Sequence, residues 1–220
     1  MTTRRQLLAL GAVAGTAGCL GQVLDDPIVV RAEPAGIDPD VLDEAGYEHV
    51  QNDSLELEES VSALGIERRV QATNWYADFS RTIDVAGFDL PISSEVEAGT
   101  VALLSTPGVS VLGRSFNPVA TMSARELAEL VQSEYDGIDS LEQLDEESAT
   151  ILDESTTVTR FEGRAEFVAE GVELDIILHL SEPVPAGDDL VVALGGYPSL
   201  VEDDEADRVR SMFNGVYHPA

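Results

Sequence analysis

Residues 157–180 read TVTRFEGRAEFVAEGVELDIILHL, and their alternation decides the fold. Thr157, Thr159, Phe161, Gly163, Ala165, Phe167 and Ala169 fall on one side of a period of two, and Arg160, Glu162, Arg164, Glu166 and Glu170 on the other. Glu170-Gly171 supplies a turn, after which Val172, Leu174, Ile176, Leu178 and Leu180 resume the apolar row opposite Glu173, Asp175, Ile177 and His179. Successive side chains of a strand point to opposite faces of its sheet, so the pattern predicts an antiparallel hairpin with one face buried and one in solvent.

Working outward, residues 190–194 (LVVAL) follow a turn at 185–189 and are apolar at both parities, which predicts a strand covered on both sides. Residues 100–105 (TVALLS) read as a central strand ending near Pro107-Gly108, and residues 54–64 and 68–83 as strand-like stretches. Residues 28–32 form a first strand; 87–99 and the acids Glu142, Asp145, Glu146 and Glu147 read as loops, and Gly195-Gly196 as a strand-end turn. Three helices carry start or stop signals. Asp38 caps a short helix with Pro39 at its first position and Gly46 at its end. Ser123 and Glu126 form a capping box ahead of the stripe Leu127, Leu130, Val131 and Tyr135. Residues 202–216 open with acids and place Ala206, Val209, Phe213 and Val216 on one stripe. No long polar linker divides the chain. The expectation is one α+β domain over residues 28–220, an antiparallel sheet flanked by a middle and a C-terminal helix.

Of 220 residues, 42 are acidic and 12 basic, a formal charge of −30, and every basic residue is Arg. A body so acidic has no counterion-releasing surface for nucleic acid or anionic lipid. At molar salt the Debye length falls to about 3 Å, which screens the self-repulsion, and exchange of Lys for Arg and acids removes flexible apolar stems where salt strengthens hydrophobic association. The composition predicts adaptation to multimolar salt, with solvent cations loosely held by the acidic surface.

Residues 1–18 read as an export signal: Arg4-Arg5 precede the apolar run LLALGAVAGTAG at 7–18. That run is shorter than the roughly 20 residues a membrane-spanning helix needs. TRRQLL at 3–8 resembles the twin-arginine motif, with Leu7 where an aromatic is usual. Cys19, the only cysteine, closes Thr16-Ala17-Gly18-Cys19, which resembles a lipobox apart from Thr16 in place of Leu. Cleavage and lipidation there predict a mature chain tethered through residues 19–27 to the outer face of the cytoplasmic membrane. Loss of two arginines leaves ten against 42 acids, a charge of −32. One cysteine allows neither an intrachain disulfide nor a thiolate cluster.

Catalytic signatures are missing. His49, His179 and His218 share no metal-ligand spacing, His179 is expected in a solvated pair with Asp175, and His218 as a helix-terminal charge partner. The acids at 203–207 and 142–147 lack the glycine and spacing of a calcium loop. Gly108-Val109-Ser110-Val111-Leu112 lacks the closing glycine of a nucleophile elbow, and no phosphate-binding glycine loop occurs. No catalytic, cofactor or metal residue is assigned, and a non-enzyme is expected. Trp75 and Tyr76 point to opposite sides of a strand, so one of them is a candidate for a ligand groove. Asn52-Asp53-Ser54 is a candidate glycosylation sequon in an expected surface turn, whereas Pro118 excludes Asn117.

The twin-arginine signal, Ala17-Gly18-Cys19, Tyr47, Asn74-Trp75-Tyr76, residues 101–107, Tyr197-Pro198 and the acidic helix ending near His218 together resemble uncharacterised haloarchaeal lipoproteins of similar length. That resemblance implies export and anchoring, with no activity attached. The order helix, three antiparallel strands, terminal helix is also similar in topology to the PsbP/Mog1-like α/β/α sandwich. The expected function is an extracytoplasmic accessory or binding protein, with a membrane-protein complex as partner. A solute or cation carrier with a groove near Trp75/Tyr76 is the alternative, and a cell-surface hydrolase the third reading.

Overall fold

The stretch 157–180 becomes two strands, Glu154–Phe167 and Val172–Ser181, paired antiparallel from Val172↔Phe167 to Ser181↔Val158. The computed structural model describes residues 27–63, 66–84, 95–108, 110–111, 114–115, 117–134, 137–167 and 172–219. The signal, Cys19 and the turn at Glu170-Gly171 lie outside them.

In chain order the described elements are β1 (Ile28–Arg31), β2 (Gly36–Ile37), α1 (Pro39–Ala45), β3 (Glu48–Ala63), β4 (Ile66–Asp84), β5 (Glu95–Pro107), β6 (Ser110–Val111), β7 (Arg114–Ser115), α2 (Ala124–Glu134), β8 (Ile138–Ile151), β9 (Glu154–Phe167), β10 (Val172–Ser181), β11 (Val184–Ala186), β12 (Asp189–Pro198), α3 (Glu202–Asn214) and β13 (Val216–Tyr217). The main sheet runs β3-β4-β5-β12-β10-β9-β8, with β1 on the β5 side of β4 and β11 beside β12. The result is a single α+β domain in three layers, α1 and α3 on one sheet face and α2 on the other.

Several expectations need correction. The sheet is mixed, because β1 runs parallel to β4 from Ile28↔Val70 to Arg31↔Thr73. The acids of 142–147 lie in β8, an edge strand whose outer positions are solvated. Its connection to β9 is a two-residue turn with Leu152 and Asp153 both at positive φ, 54° and 62°. That matches the twist of a hairpin without the Asn-Gly signature that would announce it. Strand β5 starts at Glu95, inside the expected loop 87–99, and residues 85–94 lie outside the described set. Asn52 sits within β3, paired with Ala77, and not in a turn. Gly195 and Gly196 are interior to β12. A Cβ on Gly195 would stand 2.4 Å from Val209 Cγ1, so the bare backbone there lets α3 lie directly on the sheet.

Local signals hold where they were strongest. Asp38 Oδ1 accepts from the Asp40 amide at 2.8 Å, and Gly46 closes α1 at φ 72°. Ser123 and Glu126 exchange capping hydrogen bonds, the Ser123 amide donating to Glu126 Oε2 at 2.8 Å. These bonds hold the Glu126 carboxyl below its ordinary value. Helix α3 buries Val209, Met212 and Phe213 against Val101, Leu103 and Ala193. Each such side chain contributes about 1.5–3 kcal/mol. Helix α2 buries Leu127 and Ala128 against Ile176, Leu178 and Phe161 on the opposite face.

Candidate functional site

Beneath α3 the sheet presents polar groups where the alternation predicted solvent. The register aligns Asp145, Arg160, His179 and Gly195 across four strands. Helix α3 covers the middle of this row: His179 is 2% exposed, Asp145 at the edge stays in solvent, and the expected His179 partner Asp175 lies near Arg164 instead. His179 Nδ1 lies 3.2 Å from Glu147 Oε1, and Nε2 lies 2.7 Å from Tyr197 Oη. A carboxylate only accepts, so Nδ1–H donates to Glu147 and Nε2 accepts from the Tyr197 hydroxyl. Desolvation pushes the His179 pKa down to about 4 against the opposing pull of Glu147, with Arg160 and Arg210 adding to the depression. At neutral pH the imidazole is therefore uncharged. Burial, followed by the Glu202 carboxylate, raises Tyr197, so its hydroxyl stays protonated.

A second knot sits alongside. Glu205, 1% exposed, accepts from Tyr47 Oη at 3.2 Å and from Arg81, with Arg208 Nε 3.4 Å away. Burial and the Glu205 charge raise Tyr47 far above its ordinary value. Arg160 bonds Glu202 and Asp145, and Arg210 bonds Glu147 at 3.1 Å and Asp207 at 2.7 Å, so both rows fasten α3 to the sheet. Glu147, His179 and Tyr197 have the residue types of an acid–base relay, with His179 and Tyr197 buried beneath α3 and Glu147 partly exposed at the sheet edge. His218 is likewise no helix-terminal partner. Its Nε2 lies 3.0 Å from the Glu33 carbonyl and 3.3 Å from Asp189 Oδ2, which ties the C-terminal end to the start of β12.

The other sheet face is covered only in part. Helix α2 sits over β9 and β10, and beside it a groove of about 470 Å³ opens across β12, β5, β4 and β3. That volume lies in the range of small-molecule sites, about 300–1,000 Å³. Leu104, Leu180, Val192 and Leu194 line it together with Leu127, Leu130 and Val131 of α2. Leu55 and Leu130 remain 43% and 37% exposed. Tyr76 lines this groove and Trp75 does not, since Trp75 takes the opposite face of β4. Asp53 marks the outer end, directly across from Tyr76.

The sequence therefore indicated one groove residue, Tyr76, and missed the leucines around it. The available signal was the double-sided apolarity of residues 190–194 next to a helix stripe too narrow to cover the sheet. Asn52 is exposed on β3 with Oδ1 3.0 Å from His49 Nε2, while Arg4, Arg5 and Cys19 lie outside the described residues. Among the described residues no group of three or more His, Cys, Asp or Glu is placed to hold a metal ion, and no helix is long and apolar enough to cross a membrane.

No curated protein matches the chain. Among solved structures, that of cyanobacterial PsbP (CyanoP) from Synechocystis sp. PCC 6803 aligns with a TM-score of 0.36 at 10% identity, covering 86% of this chain and 94% of that one. So loose an alignment carries no inference about fold or function. The sequence match is of a different order, running from just before β2 through β13: over residues 34–217 the chain belongs to the family described as a domain of unknown function, DUF6517.

Proposed function

We propose that the chain is a non-enzymatic binding protein that takes an apolar ligand in the groove between α2 and strands β3, β4 and β5. In this reading it is exported through the signal around Arg4-Arg5, anchored by lipid on Cys19 outside the cytoplasmic membrane, and adapted to multimolar salt. The single observation that supports binding is the uncovered groove itself: an apolar sheet face left open beside α2. The carrier reading fits this shape, with Tyr76 and not Trp75 at the site. Delivery to a membrane complex is the accessory role such a carrier would serve. A hydrolase is disfavoured, because the convergent polar groups lie under α3 while the open groove holds mostly hydrocarbon.

The neutral probe N-phenyl-1-naphthylamine tests the groove. Its fluorescence is expected to rise saturably with the mature protein, and Leu130→Glu, at a partly exposed wall position, is expected to weaken binding at least fivefold with the melting curve unchanged. Equal binding by the variant would remove the groove from the account. Anchoring is read separately by mass spectrometry of the membrane-extracted protein. A lipid-modified N-terminal Cys19 is expected, and an intact segment 1–19 with a free thiol would refute the anchor.

A further inference from the structure

We infer that the ligand of this groove is an amphiphile with a cationic end, whose charge is received by Asp53 and whose hydrocarbon runs under α2. The inference rests on the groove reading above and gives that site a chemical class. Four residues in consecutive register carry it: Asp53 on β3 faces Tyr76 on β4, Tyr76 faces Leu104 on β5, and Leu104 faces Val192 on β12. Neighbouring strands are spaced by about 4.8 Å, so this row spans about 14 Å on one sheet face, from a carboxylate through a phenol to bare hydrocarbon.

The charge pattern selects the ligand's sign. Thirteen residues line the groove, Asp53 is the one charged side chain among them, and no Arg is present. Among the described residues no hydrogen bond or ion pair engages the Asp53 carboxylate, whereas Asp78 beside it accepts from Gln51 Nε2 at 2.9 Å. An anionic amphiphile would bring its head group against Asp53 and Asp78 with no cationic side chain in the lining to receive it. A cationic one places its charge on Asp53 and buries its tail among Leu104, Val192 and Leu130. The chain's overall acidity does not substitute for this contact, because at molar salt long-range attraction is screened within about 3 Å and only direct pairs persist.

The test compares octylammonium, 1-octanol and octanoate as competitors of N-phenyl-1-naphthylamine on the mature protein in about 2 M NaCl. The expected order is octylammonium tightest, 1-octanol about two- to fivefold weaker, the scale of an exposed ion pair, and octanoate weaker again. Asp53→Asn, at a solvated strand position, is expected to bring octylammonium to the level of 1-octanol and leave 1-octanol unchanged. Glu162→Gln, on the opposite sheet face, should alter nothing. Equal binding of all three probes, or a cation preference that survives Asp53→Asn, overturns the inference while the groove reading stands. Failure of every probe to compete overturns both.

Discussion

Glu205→Ala is expected to lower the unfolding free energy by about 3–5 kcal/mol, the range for removing one partner of a buried ion pair. The Glu205 side chain is 2% exposed, accepts from Arg81 and Tyr47, and pairs with Arg208. Its loss leaves Arg81, itself only 23% exposed, without its carboxylate beneath α3. The Tyr47 hydroxyl loses its acceptor in the same place. Glu205→Gln keeps an acceptor for Tyr47 while discarding the charge, so it should recover part of the loss. Because the three groups act on one carboxylate, Arg81→Ala added to Glu205→Ala should cost much less than Arg81→Ala alone. Denaturant unfolding of the two single variants and the double reads this directly. Additive losses would mean that the knot is not the unit described.

His179 gives the second large effect, and its sign follows from the depressed pKa. The folded imidazole stays neutral down to about pH 4, while the unfolded one takes up a proton below about 6.5. The unfolded state therefore binds more protons between these values, and stability falls as pH falls through that window. Between pH 6.5 and 5 this group alone should remove on the order of 2 kcal/mol. His179→Gln can still donate to Glu147 and accept from Tyr197, so it should be less stable at pH 7 but lose that much less on acidification. Parallel pH profiles for the two proteins would contradict a buried neutral imidazole. Carboxylates titrating nearby contribute to both profiles and cancel in the difference.

The sequence carried the fold where one face of an element was buried and the other wet. The hairpin β9–β10, the capping box at Ser123 and the α1 signals at Asp38, Pro39 and Gly46 are of this kind. Strand β8 escaped because it is an edge: its sequence IDSLEQLDEESATI is mostly solvated, and its turn uses Leu152-Asp153 in place of glycine. His179 was misplaced because alternation tells which side a residue faces, not what later covers that side. Helix α3 arrives 23 residues after His179 and turns a polar face into an interior one. Gly195 carried that information in disguise, as the gap that admits Val209, yet in sequence it reads as a turn. The groove was half legible for the same reason. Tyr76 announced itself as an aromatic beside another, but Leu55, Leu104 and Leu130 look like any core leucine until the helix above them proves too narrow.

The central claim is that this particular sheet face binds apolar molecules, and a methyl-resolved NMR titration of the mature protein with 1-octanol tests it most directly. Saturable shifts are predicted at the methyls of Leu104, Leu130 and Val192, with Val209 and Met212 on the buried side of α3 unmoved. Shifts centred on the α3 side, or none that saturate, would contradict it.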